Sequence, residues 1–285
     1  MRGFNRNRFN DKLFKYFGLF CTLFSVSILG IFIFSILIQG ATRIDWSFLT
    51  GMPSRIPGKA GILPALAGTL WVLVLTAAIA VPIGTGAGIY LEEYAGKKRF
   101  DRILEINIAN LAGVPSIIYG LLGLEIFGRW MGMGGSLLAG SCTLALLILP
   151  VIIVATREAV KAVPKSLREA SYALGATRWQ TTWRQVLPAA AGGIVTGVIL
   201  ALSRAIGETA PLIVVGALAY VPFIPSGPGD EFTVLPIQIF NWISRPQKGF
   251  IINSAAAIIV LLSVTFLMNI TAVYLRKRWQ KKVKW

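Results

Sequence analysis

Long apolar runs alternate with short, mostly basic segments along this chain. No charged residue occurs in 16–42, 60–91, 106–124, 130–156 or 249–275, and a sixth run, 185–229, is interrupted only by Arg204 and Glu208. A bilayer crossing takes about 20 mostly apolar residues, so the pattern predicts six transmembrane helices and an all-α polytopic membrane protein. The third run is the shortest, and Glu105 and Glu125 bracket it. The second contains Pro82 and several glycines, which predicts a kink or close packing. Segment 221–248 carries Pro222, Pro225, Pro228 and Pro236 with Gly227 and Gly229. It predicts an ordered loop holding a short re-entrant or interfacial helix near Leu235–Ile243. Residues 1–15 and 276–285 read as tails, 16–59 as the first span and its linker, and 60–275 as the main membrane domain.

Charge distribution orients this arrangement. Of 28 Lys and Arg, 21 fall in the N-terminal tail, the second-to-third connection, the fourth-to-fifth connection and the C-terminal tail. Six (Arg43, Arg55, Lys59, Arg129, Arg245 and Lys248) fall on the opposite side. Basic residues collect on the cytoplasmic side of membrane proteins, so both termini are expected in the cytoplasm. The net charge of +16 is then juxtamembrane charge, and nucleic-acid binding is not needed to explain it. The first span exceeds a signal-peptide core of about 7–15 residues and reads as an uncleaved anchor. Cys21 and Cys142 lie within apolar spans, where small core residues are expected and a disulfide is not. The chain has no histidine, so it lacks the commonest general base and transition-metal ligand. Gly84-Thr85-Gly86-Ala87-Gly88 lacks the Lys-Ser/Thr of a phosphate-binding loop; close helix packing through small residues is expected there.

Arg204 and Glu208 are the chemical anomaly. Arg204 stands sixteen positions from both Pro188 and Tyr220, near the middle of an apolar stretch. An ionised side chain at the centre of a bilayer costs roughly 2.5–3.5 kcal/mol on insertion scales, so such residues usually serve an aqueous path or a protein interior. A guanidinium there suits a small oxyanion in transit, because its planar fork matches phosphate geometry. Spacing of four permits a helical Arg204–Glu208 pair, which a passing anion would exchange for itself. Pro211 removes a backbone hydrogen bond to Gly207 and loosens the helix at that point. Glu125 reads as a solvated interface residue.

The connection 157–188 predicts two helical pieces. Ser166 and Glu169 have capping-box spacing, so a helix should start near Ser166. Leu167, Ala170, Ser171 and Leu174 would share one face, and Gly175 would end the helix in a left-handed turn. Trp179 and Trp183, four apart, belong to the second piece. Such an amphipathic helix can be an ordinary hairpin at the membrane interface, or it can dock in another protein's groove.

Glu169-Ala170-Ser171, Gly175 and Leu187-Pro188 resemble the loop signature of ABC importer permeases. Ser171 replaces the third small residue of that signature, and Gln185 stands where Ile is preferred, with Val186 beside it. Ser203-Arg204-Ala205-Ile206-Gly207-Glu208-Thr209-Ala210-Pro211-Leu212 is similar to the fifth-span motif of phosphate-specific ABC permeases, the A-subunit branch in particular. Gly113–Leu121 and Ile89–Ala95 resemble that branch's third span and the cytoplasmic end of its second. The resemblance implies a MetI-like type I importer fold and phosphate translocation into the cytoplasm. It implies a heterodimer with a homologous second permease, two copies of a cytoplasmic ATPase that bind ATP and Mg, and an extracytoplasmic phosphate-binding protein. Arg204, Glu208 and Thr209 would line the substrate pathway. Glu169, Ala170, Ser171, Gly175, Leu187 and Pro188 would couple to the ATPase. No catalytic, metal or cofactor site is expected in this chain. Two alternatives stay open at this level: a permease for another oxyanion such as sulfate, molybdate or phosphonate, and an ATP-independent anion channel or membrane scaffold.

In a background lacking Cys21 and Cys142, single cysteines beside Lys97, Arg168 and Lys282 should react with impermeant maleimide only from the cytoplasm. One beside Gly229 should react only from outside. Labelling of the Arg168 site from outside would overturn the assigned topology.

Overall fold

The computed structural model describes residues 2–96, 99–218 and 220–280. The basic positions Lys97, Lys98, Lys281, Lys282 and Lys284 lie outside these. The described chain is helical almost throughout. Helix α1 (Arg2–Ala41) is followed by the short α2 (Trp46–Thr50) and by α3 (Leu63–Ile89). Next come α4 (Arg99–Leu111), α5 (Ser116–Gly123), α6 (Leu137–Lys161), α7 (Lys165–Ala173) and α8 (Arg178–Thr181). The last four are α9 (Leu187–Gly207), α10 (Ala210–Val215), α11 (Leu235–Ile243) and α12 (Lys248–Gln280). Among the described residues, extended pairing is confined to an isolated bridge between Ser136 and Glu231.

Five segments are long and apolar enough to cross a membrane: Asp11–Ala41, Leu63–Tyr94, Leu137–Lys161, Arg178–Gly207 and Lys248–Tyr274. The third predicted span is not among them. The run 106–124 divides between α4 and α5, with a turn whose amides bond Gly113 to Asn110 and Val114 to Leu111. Pro115 precedes α5 with extended backbone (φ −55°, ψ 136°), as expected where proline disfavours a helical predecessor and offers no N–H. The buried Tyr119 hydroxyl donates to Leu111 O at 2.8 Å, tying the two pieces together. Uncharged length located this segment but overlooked its internal helix breaker.

Helix α6 is the central element, and its neighbours approach it through small residues. A Cβ on Gly84 or Gly88 of α3 would meet Ile152 or Thr156 of α6 at 2.7 Å. On the other flank, a Cβ on Gly193 of α9 would meet the Ala159 Cβ at 2.7 Å, and Gly197 stands closer still over Ala155. The expected close packing of the Gly84–Gly88 stretch is present, and α3 runs through Pro82 without a break. Leu137, Leu144, Ile148 and Ile152 of α6 form the main core with Val72, Ala201, Leu212 and Phe232.

A second core sits at the end where α1 and α3 are joined. Phe48, Ile62, Leu235, Trp242 and Phe250 are buried there. Helix α11 occupies Leu235–Ile243, the segment predicted for it. Arg43 organises this end: its guanidinium donates to Asn253 Oδ1, Asp45 Oδ1 and the carbonyls of Gly58 and Ala60, and it lies over the Phe48 ring. The loop before α11 caps α6, with Leu137 N donating to Asp230 O and Leu138 N to Pro228 O, each at 2.9 Å. Asp230 holds the loop by accepting from Ser226 N, Ser226 Oγ and Gly227 N. These bonds to the ionised form keep its carboxyl below the usual carboxylate range. Both cysteines are free; Cys142 is half-buried, but Cys21 is exposed on the outer face of α1 rather than in a core.

A glycine packed directly against backbone provides a stability test. A Cβ at Gly68 would collide with the carbonyl oxygen of Thr233, and neither backbone can yield cheaply. Gly68→Ala should cost about 1–3 kcal/mol of overpacking strain and lower the thermal midpoint of the detergent-solubilised protein. Gly86→Ala, which faces open space, should leave it unchanged.

Candidate functional site

The candidate residues form two clusters at opposite ends of α9. The first lies where α9 stops. By count Arg204 stands mid-run, yet the helix ends at Gly207, so Arg204 occupies its last turn. Glu208 has extended backbone (φ −76°, ψ 123°), Thr209 follows, and α10 restarts at Ala210 with Pro211 in its first turn. The proline that was expected to loosen the helix ends it, because a missing N–H and a bulky ring oppose continuation. A cation in the last helical turn is favoured by the helix dipole.

Arg204 and Glu208 remain paired although Glu208 has left the helix. The Nε to Oε1 distance is 3.3 Å, against about 2.7–2.9 Å for a tight charge-assisted bond. The Arg204 side chain is 44% exposed and that of Glu208 19%. The guanidinium is therefore accessible and loosely held. Thr209 is half-buried, and its carbonyl accepts from Ile213 N. The break also contacts the third predicted span, since a Cβ on Gly120 would lie 2.7 Å from Pro211 Cα. Ser203, beside Arg204, donates to Asn269 Oδ1 of α12 at 2.6 Å. Asn269 was missed by sequence reasoning, although it is an amide deep in an apolar run. Glu125 is exposed and pairs with Arg129 at 2.9 Å, as an interface residue should.

The second cluster is a helical elbow before α9. Helix α7 begins at Lys165, and Pro164 precedes it without a side-chain cap, so the expected Ser166–Glu169 capping box is absent. Pro164 already sets the entry angle. The capping box forms instead at α8, between Thr177 and Gln180. Gly175 has φ +81°, the left-handed turn expected of it. Leu167, Ala170, Ser171 and Leu174 share one side of a groove of about 430 Å³, closed by Gln180, Arg184 and Gln185. Glu169 and Ala170 are exposed, Ser171 is half-buried, and the apolar Leu174 stands free at the tip. The Ser171 and Thr181 hydroxyls are 2.8 Å apart, so the departure from Ala at position 171 stitches α7 to α8. Trp179 and Trp183 stack at 5.5 Å.

A π-turn at Thr182–Val186 joins α8 to α9. Its wider turn leaves Gln185 exposed and buries Val186 with Val160, Val163, Ala190 and Ile194. Val186 thus supplies the apolar contact missing at Gln185. Leu187 is half-buried at the start of α9 and Pro188 is exposed. The elbow and the Arg204 break share α9 but do not touch.

Sequence reasoning also missed a set of ion pairs beside the elbow. Arg168 of α7 contacts Glu93 at 2.6 Å, and the side chains are only 16% and 6% exposed. Arg157 of α6 contacts Glu92 at 3.3 Å and Glu105 of α4 at 2.9 Å. Two consecutive glutamates ending an apolar run, opposite a basic connection, were the available signal.

A bundle of long apolar helices, with an accessible arginine at an internal helix break and an exposed elbow at one end, defines a membrane transport component. The chain belongs to the family of binding-protein-dependent transport system inner membrane components, whose model matches residues 80–281. A probable ABC transporter permease protein, YqgI of Bacillus subtilis, is 31% identical over 97% of this chain and 98% of its own. The phosphate transport system permease protein PstA of Mycobacterium leprae is 40% identical over 78% of this chain and 73% of its own. The fold matches a bacterial alginate ABC transporter solved with an alginate pentasaccharide-bound periplasmic protein. That match has a TM-score of 0.67 and 16% identity, covering 91% of this chain and 94% of that one.

The elbow depends on the left-handed turn at Gly175. No atom crowds that position, so a side chain there meets only backbone strain, about 1–2 kcal/mol for a residue other than glycine. Gly175→Val should speed limited proteolysis within 172–178 by about tenfold, and Gly175→Asn, which tolerates this conformation, should not. Equal protection of the valine variant would refute the strained turn.

Proposed function

We propose that this chain is a permease subunit of an ATP-driven importer that carries inorganic phosphate across the inner membrane into the cytoplasm. The observation that carries this reading is the Arg204–Glu208 pair at the break between α9 and α10. Relatives that are phosphate transport permeases support the choice of substrate. A phosphate ion entering an apolar bundle needs a compensating charge. Arg204 offers one that is exposed and only loosely engaged by Glu208. Incoming phosphate displaces the carboxylate from the guanidinium fork, and Glu208 retakes Arg204 as the anion leaves. Thr209 provides a hydroxyl beside the same break. No bond in phosphate is made or broken, so the work of this chain is passage and gating.

Energy enters through the elbow. Two cytoplasmic ATPase subunits, which bind ATP and Mg, dock on Glu169, Ala170, Ser171 and Gly175. Leu187 and Pro188 pass the movement into α9. A homologous second permease completes the pathway opposite Arg204, and an extracytoplasmic binding protein delivers phosphate. Both termini lie in the cytoplasm, a reading that the distribution of basic residues supports.

Arg204→Gln should leave assembly intact and reduce initial-rate uptake of labelled phosphate, normalised to assembled complex, by about 100-fold or more, the scale of a lost charged hydrogen bond. Arg204→Lys should retain partial uptake, because the charge stays while the fork is lost. Near-normal uptake by Arg204→Gln would mean that the pair is structural and the anion takes another route.

A further inference from the structure

The best-buried ion pair in the described chain includes neither Arg204 nor any residue lining the elbow groove. Glu93 lies in the π-turn Tyr90–Tyr94 that prolongs α3, and Arg168 lies near the start of α7. Each nitrogen of the Arg168 guanidinium donates at least one hydrogen bond. Its Nε and Nη2 donate to Glu93 Oε1 at 3.0 and 2.6 Å, Nη2 also donates to Val160 O at 2.9 Å, and Nη1 donates to Val163 O at 2.7 Å. One side chain thus holds the end of α3, the end of α6 and the start of α7. One residue back, Glu92 binds Arg157 on α6, and Arg157 also binds Glu105 on α4. The π-turn is a widened helical turn of a kind common at functional sites, and here it lets adjacent glutamates reach different arginines.

Resting on the importer reading above, we propose that the Glu93–Arg168 pair is a permanent strut that makes α7 move as one body with the ends of α3 and α6. Glu93 and Arg168 are positioning residues: neither lines the phosphate path, and neither belongs to the exposed face of the elbow. A buried charge pair whose guanidinium nitrogens all hold acceptors is costly to separate. Movement imposed on α7 is therefore passed to α3 and α6 rather than absorbed at the Ala162–Pro164 turn. Without the strut, α7 pivots at that turn, and ATP is spent without opening the bundle. Arg157, more exposed and shared between two carboxylates, adjusts α4 as the ends shift.

The test is a paired neutral substitution, Glu93→Gln with Arg168→Met, which leaves no buried charge unpaired. The full complex is purified, reconstituted in liposomes and assayed for subunit ratio, ATP hydrolysis and phosphate import. The expected result is a normal subunit ratio and continued hydrolysis, with phosphate imported per ATP reduced about tenfold, within the range of a typical coupling energy. An unchanged import-per-ATP ratio overturns the strut. If the double variant fails to assemble, Arg168→Lys decides. It keeps the charge on Glu93 but cannot span the carboxylate and both carbonyls, so it must lower the same ratio or the strut is refuted. A second readout is independent of the substrate. A cysteine replacing the exposed Gly207, in a background lacking Cys21 and Cys142, should show ATP-dependent labelling in the otherwise wild-type complex and lose that dependence in the double variant. Loss of ATP-dependent labelling upholds the strut even if the wild-type complex imports no phosphate, which would sink only the phosphate reading.

Discussion

Close approach of backbones on both flanks of α6 is the constraint on which the rest of the structure depends. In an apolar solvent, burying hydrocarbon gives helices little reason to associate, so contact rests on van der Waals packing through small residues. Gly84 and Gly88 bring α3 against Ile152 and Thr156, and Gly193 and Gly197 bring α9 against Ala159 and Ala155. These contacts fix α3, α6 and α9 as one unit. The helix that carries Arg204 and the helix that ends in Glu93 are therefore both registered to the same central helix.

That registration gives the functional clusters their relation. Leu187 starts α9 and Arg204 lies in its last turn, a separation of about 25 Å at 1.5 Å rise per residue. An uninterrupted helix of this length bends little, so one rod joins the elbow to the Arg204 break. The breaks sit outside the rod: a π-turn where it enters and an extended Glu208 where it stops. Rigidity lies between the clusters, and irregular backbone lies at them.

Polar groups in the apolar body follow a consistent logic. Many threonine and serine hydroxyls on the long helices bond to the carbonyl one turn back, as Thr69, Ser141, Thr143 and Thr196 do. Groups that reach between elements are few, and they sit where geometry matters: Tyr119 across the broken third segment, Ser203 to Asn269 beside the arginine, and Arg168 to Glu93 beside the elbow. Arg204 is the exception. It is half open and loosely paired with Glu208.

The sequence by itself determined five of the six predicted spans and the residue types of the two candidate clusters, because uncharged length and side-chain chemistry are local properties. The Leu235–Ile243 helix, the left-handed turn at Gly175 and the substitution of Val186 for Gln185 were legible for the same reason. Tertiary structure alone decided where helices stop and which charges meet. Glu208 leaves the helix four residues after Arg204, and Glu92 and Glu93 find Arg157 and Arg168 some 65 and 75 positions away. Such choices depend on competing backbone and side-chain partners brought together by packing around α6, and no window of sequence contains both members of those pairs.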